Sequence, residues 1–368
     1  MIVTITPNPA IDRTLHLGTL VRGSVHRAIS ESVEPSGKGV NVSIVLHRAG
    51  IPTLAVLPTG GASGHHLSSM LDAAGVRHLD VAVAGAVRSN TSVIEADGTT
   101  TKINEQGPTL TGDEVHDLVR AAMSSSAAGD WVAWCGSLPR GFAPGVLSDA
   151  IAVGRLAGTQ IALDTSGSAL ASALTQPADH LPHVIKPNGE ELAELTGRTL
   201  QTIGDVADAA AMLLERGVRT VLVSLGPDGA VLVQDGTSLH GLAPVSRVMN
   251  TVGAGDAFLA GYLAATHDAD AGGSQEAAAV ALESALRYAA SAVQHTGTLT
   301  SGPDAAVEVV ITPCRTDRPL DVPAHPPRAS ITTAATEHAS GSISANAPTA
   351  APSHLGHHEA PSRGGGPV

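Results

Sequence analysis

The segment Asn250-Thr251-Val252-Gly253-Ala254-Gly255-Asp256-Ala257-Phe258-Leu259-Ala260-Gly261 sets two glycines and a carboxylate where a loop turns into a helix. Residues 257–265 carry an apolar helical pattern, so Gly253, Ala254 and Gly255 fall at that helix's N-terminus. Unpaired backbone N–H groups and the helix dipole make such an end a site for an anion, and glycine lets the backbone approach a phosphate. Asp256 beside it is a candidate base, taking the proton of a hydroxyl that attacks phosphorus. Taken alone, the segment also reads as an ordinary Gly-rich turn with Asp in the first helical turn.

Of the 21 Lys and Arg residues, only Lys38, Lys102 and Lys186 are lysine. All three stand in unusual local sequences: Ser36-Gly37-Lys38-Gly39-Val40-Asn41, Thr101-Lys102-Ile103-Asn104 and Lys186-Pro187-Asn188-Gly189-Glu190-Glu191. A compact ammonium differs from a planar guanidinium as a phosphate partner, so these positions are candidates for needing lysine itself. Gly37 and Lys38 sit before a helix, where Asn41 offers a polyol both donor and acceptor. The spacing is not that of a Walker P-loop, because Gly39 follows the lysine and Ser32 is not glycine.

Further segments end strands at what would be the ligand edge. Asn8-Pro9-Ala10-Ile11-Asp12 offers Asp12 to sugar hydroxyls, against the plainer reading of a turn-forming Asp. Cys135-Gly136-Ser137-Leu138-Pro139 presents Ser137. Arg88 and Lys102 flank a hairpin and can clamp a phosphate that is not transferred. Asn188 and Glu191, spaced i, i+3, either organise water around Mg²⁺ or form a capping box. Ser224-Leu225-Gly226, with Gly229, can present backbone to a nucleotide or simply turn.

The elements that must position these residues alternate as short β-branched runs and longer Ala/Leu-rich helical patterns. Strands are expected at 2–6, 53–57, 131–134, 160–164, 183–185 and 219–224. Helices are expected at 38–49, 64–74, 112–126, 144–157, 188–196, 204–216, 255–266 and 275–294. This βαβ rhythm predicts an α/β fold with a mainly parallel central sheet covered on both faces, and ligands outside the strands' carboxyl ends. Segments of about 13–35 and 76–106 break the rhythm with period-two alternation, including a hairpin 91–96 and 99–104 around Asp97-Gly98. They are assigned to a small β-sheet lid.

Residues 1–313 thus read as one large domain and 314–368 as a low-complexity, disordered tail rich in Pro, Ala, Ser, Thr, Gly and His. Metal contact by His357 and His358 is the weaker reading of the tail histidines. The tail holds four basic and four acidic residues, so the net charge of −13 belongs to the body, which argues against a nucleic-acid partner. Cys135 and Cys314 give no disulfide framework. With no signal-like N-terminus and no apolar run of membrane-spanning length, the chain reads as soluble and cytoplasmic.

In order along the chain, Asn8 to Asp12, Gly37-Lys38-Gly39 with Asn41, Gly136 to Pro139, Lys186-Pro187-Asn188 with Glu191, and Asn250 to Asp256 resemble the ribokinase-like PfkB family of carbohydrate kinases. They look most like the branch acting on sugar phosphates, which includes 1-phosphofructokinase, tagatose-6-phosphate kinase and the minor 6-phosphofructokinase. The resemblance covers residues 1 to about 310 and implies a ribokinase-like three-layer domain with a lid. It implies Asp256 as base and Gly253, Ala254 and Gly255 as the anion hole. It puts Asp12, Gly37, Lys38 and Asn41 on the sugar, and Arg88, Lys102 and Ser137 near the substrate's own phosphate. Lys186, Asn188, Ser224, Gly226, Gly229 and Thr251 fall on the nucleotide side, and Glu191 on Mg²⁺. Asn250 departs from the pattern, standing where many members carry Asp. The implied reaction is Mg²⁺-ATP-dependent phosphorylation of a ketohexose monophosphate, fructose 1-phosphate first, with tagatose 6-phosphate or fructose 6-phosphate as alternatives. A homodimer through the lid is the implied assembly; a non-catalytic sugar-phosphate sensor is the reading from another class.

Overall fold

The computed structural model describes residues 1–267, 274–294, 303–304 and 306–326. The chain opens with β1 (Ile2–Ile5), β2 (Ala10–His16), β3 (Ser30–Ser36), α1 (Lys38–Arg48), β4 (Thr53–Thr59), α2 (Gly61–Ala73) and β5 (His78–Ala82). Next come β6 (Arg88–Ile94), β7 (Thr100–Asn104), α3 (Gly112–Ser124), β8 (Trp131–Cys135), α4 (Pro144–Leu156), β9 (Gln160–Asp164) and α5 (Gly167–Ala173). Then follow β10 (Val184–Ile185), α6 (Gly189–Thr196), β11 (Leu200–Thr202), α7 (Ile203–Glu215), β12 (Thr220–Ser224), β13 (Ala230–Gln234) and β14 (Thr237–Leu242). The last elements are α8 (Ala254–Thr266), α9 (Gln275–Val293), β15 (Val310–Pro313) and β16 (Pro319–Ala324).

The main sheet runs β15-β14-β13-β12-β10-β9-β8-β1-β4-β5. It is parallel from β12 to β5 and antiparallel from β12 to β15. Alternation along each strand sends side chains to two helical layers. Ile2, Trp131 and Leu222 pack with Val45 of α1, Phe258 of α8 and Leu282 of α9. Val3, Val132 and Trp134 pack on the other face with Leu118 of α3, Ile151 of α4 and Leu213 of α7. Both strand faces are therefore apolar, which is why these runs read as continuous rather than alternating. No helix among the described residues is long and apolar enough to cross a membrane.

β1 neighbours β8 on one side and β4 on the other, so the strand order reverses there and leaves a crevice at the carboxyl ends. The second, four-stranded sheet, β3-β2-β6-β7, pairs β6 antiparallel to β7 across the expected Asp97-Gly98 hairpin. The lid expectation needs correction at two points. Its first strand begins at Ala10, before the expected 13, and β5 lies in the main sheet, parallel to β4, although residues 76–106 were assigned to the lid. β5 carries the same period-two pattern because it is an edge strand with one exposed face, and periodicity does not reveal which sheet a strand joins.

The expected boundary at 313 also moves. β16 pairs antiparallel with β11, burying Leu320 and Ala324 in the core. A composition averaged over fifty residues hides one six-residue strand. The low-complexity segment from 328 on, including His357 and His358, lies outside the described residues. Ending the chain at 326 should leave the melting temperature near that of the full chain, whereas ending it at 313 should lower it by several degrees. Leu320→Ala alone should cost about 2–3 kcal/mol. Thermal unfolding of the three variants checks this.

Candidate functional site

The sheet's carboxyl edge gathers groups far apart in sequence. Gly37 is the N-cap of α1 at φ 126°, and a side chain there would strike Thr6 Cγ2 at 2.6 Å, so α1 begins hard against the end of β1. Lys38 follows, and its Nζ reaches Asp164 Oδ1 at 2.8 Å. Asp164 ends β9, and its other oxygen meets Lys186 Nζ, just past β10, at 3.2 Å. The carboxylate is fully buried, Lys186 almost so, and Lys38 half-exposed. Burial alone would raise the Asp164 carboxyl, but Lys186 and Lys38 outweigh it and hold it below the usual carboxylate range. The Lys38 ammonium, pulled down by burial, is carried above its ordinary value by Asp164.

Asp256 lies beside this pair of ammonium groups. Gly253 caps α8 in the left-handed region, and the first helical bond runs from Ala257 N–H to Gly253 O at 2.8 Å. The N–H groups of Gly255 and Asp256 precede that bond, as an anion hole requires. A side chain at 255 would meet Lys186 Nζ at 3.5 Å, so the ammonium stands over the same helix end. Asp256 is 7% exposed and accepts a hydrogen bond from Asn41 Nδ2 at 2.7 Å. Burial, then the field of Asp164, pushes its pKa up to about 6, while Asn41, Lys38 and Lys186 oppose the rise. A carboxylate tuned this way is ionised at neutral pH yet a better proton acceptor than an ordinary Asp. Asn250, in place of Asp, accepts from Val252 N–H at 2.9 Å and so still shapes the loop into α8.

Register places Asp12, Arg88, Asn90 and Lys102 on one face of the lid sheet. Asn90 donates to Asp12 at 2.9 Å, and Asn8 Nδ2 donates to Ser137 Oγ at 3.3 Å. Arg88 donates to the Glu105 carbonyl at 2.9 Å, and burial, opposed by Asp12 and Glu105, draws its guanidinium below its ordinary pKa. Asn8 Oδ1, Asn41 Oδ1, Arg88 Nε and Asn90 Oδ1 are buried without a hydrogen-bond partner. Clustered orphans of both donor and acceptor type fit a polar, anion-bearing ligand between lid and sheet. Lys102 sits exposed on β7, opposite Ser92, and is not drawn into the Asp164 cluster.

The nucleotide-side residues meet a cavity of about 770 Å³. Ser224, Gly226, Gly229, Thr251, Ala254 and Gly255 line it, and its remaining wall is mostly aliphatic. A larger cavity of about 920 Å³ among Trp131, His183 and Arg219 borders the strand starts, far from Asp256 in the topology, so volume does not choose the site. Asn188 and Glu191 form the capping box: Asn188 Oδ1 accepts from Glu191 N–H at 2.8 Å, and Glu191 Oε2 accepts from Asn188 N–H at 2.9 Å. No group of three or more His, Cys, Asp or Glu is placed to hold a metal among the described residues.

Asp164 is the residue that sequence reading missed. Its signal was a lone carboxylate closing the apolar strand Gln160-Ile161-Ala162-Leu163-Asp164 at the ligand edge.

Residues 2–305 match the family described as pfkB family carbohydrate kinase. The chain is 40% identical over 276 residues to a 1-phosphofructokinase of Haloferax volcanii, covering 74% of this chain and 87% of that protein. It is 33% identical over 260 residues to a 1-phosphofructokinase of Vibrio cholerae, covering 71% and 81%. Phosphofructokinase-2 from Escherichia coli in complex with fructose-6-phosphate superposes with a TM-score of 0.70 at 29% identity, over 79% of this chain and 91% of that one.

Asp164→Asn leaves two ammonium groups facing a neutral amide, one of them buried, and should destabilise the fold by about 3–5 kcal/mol at pH 7. Because the Asp164 carboxyl is held down in the folded state, its contribution is complete above its unfolded value of about 4 and fades as pH falls below that. Denaturant unfolding of both proteins should therefore show a gap at pH 7 that narrows in acid.

Proposed function

The chain belongs to the pfkB family of carbohydrate kinases, and from that premise we propose that it transfers a phosphoryl group from ATP to fructose 1-phosphate, giving fructose 1,6-bisphosphate. One observation carries the reading: a buried, proton-hungry Asp256 held by Asn41 at the free N-terminus of α8, under Lys186. Asp256 takes the proton of the sugar's 6-hydroxyl as that oxygen attacks phosphorus, and Asn41 keeps the carboxylate aimed. The N–H groups of Gly255 and Asp256, with Lys186 and Lys38, receive the charge on the transferring group.

Asp12, Asn90 and Asn41 suit the sugar hydroxyls, and Arg88, with Asn8 beside it and Ser137 bonded to Asn8, suits the fixed phosphate, Lys102 standing further along the same face of the sheet. A neutral sugar would bring no anion to Arg88, whose buried Nε has no hydrogen-bond partner although another of its nitrogens bonds the Glu105 carbonyl. Ser224, Gly226, Gly229 and Thr251 frame the nucleotide, with Asn188 at the adjoining helix start. Mg²⁺, when bound, neutralises charge on the nucleotide phosphates; it would be held by those oxygens and water, with Glu191 the carboxylate nearest this role. Leu20, Val21, Val25, Ile29 and Ile103 leave apolar surface exposed on the lid, which supports a homodimer through it.

Three measurements test the proposal. ADP release should be fastest with fructose 1-phosphate among it, fructose 6-phosphate, tagatose 6-phosphate and free fructose. Asp256→Asn should lower kcat by roughly 10²–10⁴-fold in a protein that still folds. Arg88→Ala and Lys102→Ala should erase most of the preference for fructose 1-phosphate over fructose while sparing nucleotide affinity. Equal use of the two sugars by the unmodified protein would remove the phosphate clamp. For the metal, Glu191→Gln keeps the cap, so a raised Mg²⁺ requirement in that variant would mark a metal role and an unchanged one a cap only.

A further inference from the structure

The match to the family ends at residue 305, yet the ordered chain continues across the nucleotide side. Cys314 N–H bonds to the Ser238 carbonyl at 3.1 Å, and β16 then pairs with β11. A side chain at Gly204 would strike the Thr316 carbonyl at 2.5 Å, so the segment lies flush on the first turn of α7. Asp321 N–H donates to the buried carboxylate of Asp228 at 2.8 Å, which pins the turn from Gly226 to Gly229.

Between these anchors stands Arg318. Its carbonyl accepts from Ile203 N–H at 2.8 Å, fixing the backbone, and its side chain lines the 770 Å³ cavity that also holds Gly226, Gly229 and Gly255. Arg318 borders the adjoining cavity of about 380 Å³ as well, with His240, Leu242 and Arg315. Arg318 and Leu242 line both cavities, so Arg318 stands where the two adjoin. Leu242, Pro244 and Val245 are among the cavity's aliphatic lining, and an apolar wall of this kind suits a purine. A guanidinium at such a wall is planar, weakly hydrated and able to stack on an aromatic face.

We propose that Arg318, supplied by the strand beyond the family's matched region, contacts the base of the nucleotide and sets much of this chain's affinity for ATP. The inference rests on assigning this cavity to ATP.

Calorimetric titration of the full chain with ATP, ADP and AMP tests it without turnover. Arg318→Ala should weaken all three by the same factor, about tenfold, and raise the KM for ATP similarly, leaving kcat and the KM for fructose 1-phosphate near their original values. Arg315→Ala, in the adjoining cavity alone, should change none of these. Arg318→Lys, which keeps charge but loses the planar fork, should retain most of the loss. Unchanged nucleotide affinity in Arg318→Ala, or an equal loss in Arg315→Ala, overturns the proposal. So does full rescue by lysine or a loss that vanishes from ATP to AMP, because either puts the cation on phosphate. Intact nucleotide binding without sugar phosphorylation in the unmodified chain would instead sink the kinase reading.

Discussion

A single buried carboxylate, Asp164, holds the active edge of this molecule together. It ends β9 with no exposed surface and joins Lys38 of α1, 126 residues away in the chain, to Lys186 beyond β10, so three strand and helix ends meet on one group. An unpaired charge in that place would be prohibitive, and two ammonium groups without it would repel each other. The same carboxylate raises the proton affinity of Asp256 while the lysines it gathers lower it. The Lys38–Asp164–Lys186 bridge and the raised proton affinity of Asp256 are thus one electrostatic arrangement.

The fold supplies that arrangement by placing each group at a strand end or helix start on the same edge. The reversal of strand order at β1 opens the crevice, and the four-stranded sheet carries Asp12, Arg88 and Asn90 on one face. Helix α8 is buried along most of its length, so Asp256 at its first turn has little freedom. The unpartnered atoms of Asn8, Asn41, Arg88 and Asn90 are polar groups that the protein itself leaves unsatisfied at this edge.

Much of this was legible in the sequence because local chemistry carried it. Gly253 to Asp256 announces a helix start by its glycines, and the Asn188–Glu191 spacing announces a capping box, which the structure forms. The Asp97-Gly98 hairpin was equally plain. Asp164 was not, since a lone carboxylate closing an apolar strand is a weak signal by itself; its meaning comes from Lys38 and Lys186, which only the tertiary fold brings near. β5 was misassigned because sheet membership is a long-range property, and β16 was overlooked because its two buried residues, Leu320 and Ala324, are diluted by polar neighbours. The role of Arg318 escaped for the same reason.

The most direct test of the central claim is the titration of Asp256 itself in the free protein, because substrate phosphates titrate in the same range and blur a pH–rate profile. ¹³C-carboxyl NMR, with the resonance assigned by its loss in Asp256→Asn, reads that proton alone. Burial beside Asp164 predicts a midpoint of about 6. A midpoint at the ordinary aspartate value of about 4 would show that burial and Asp164 do not tune Asp256, and would contradict the account.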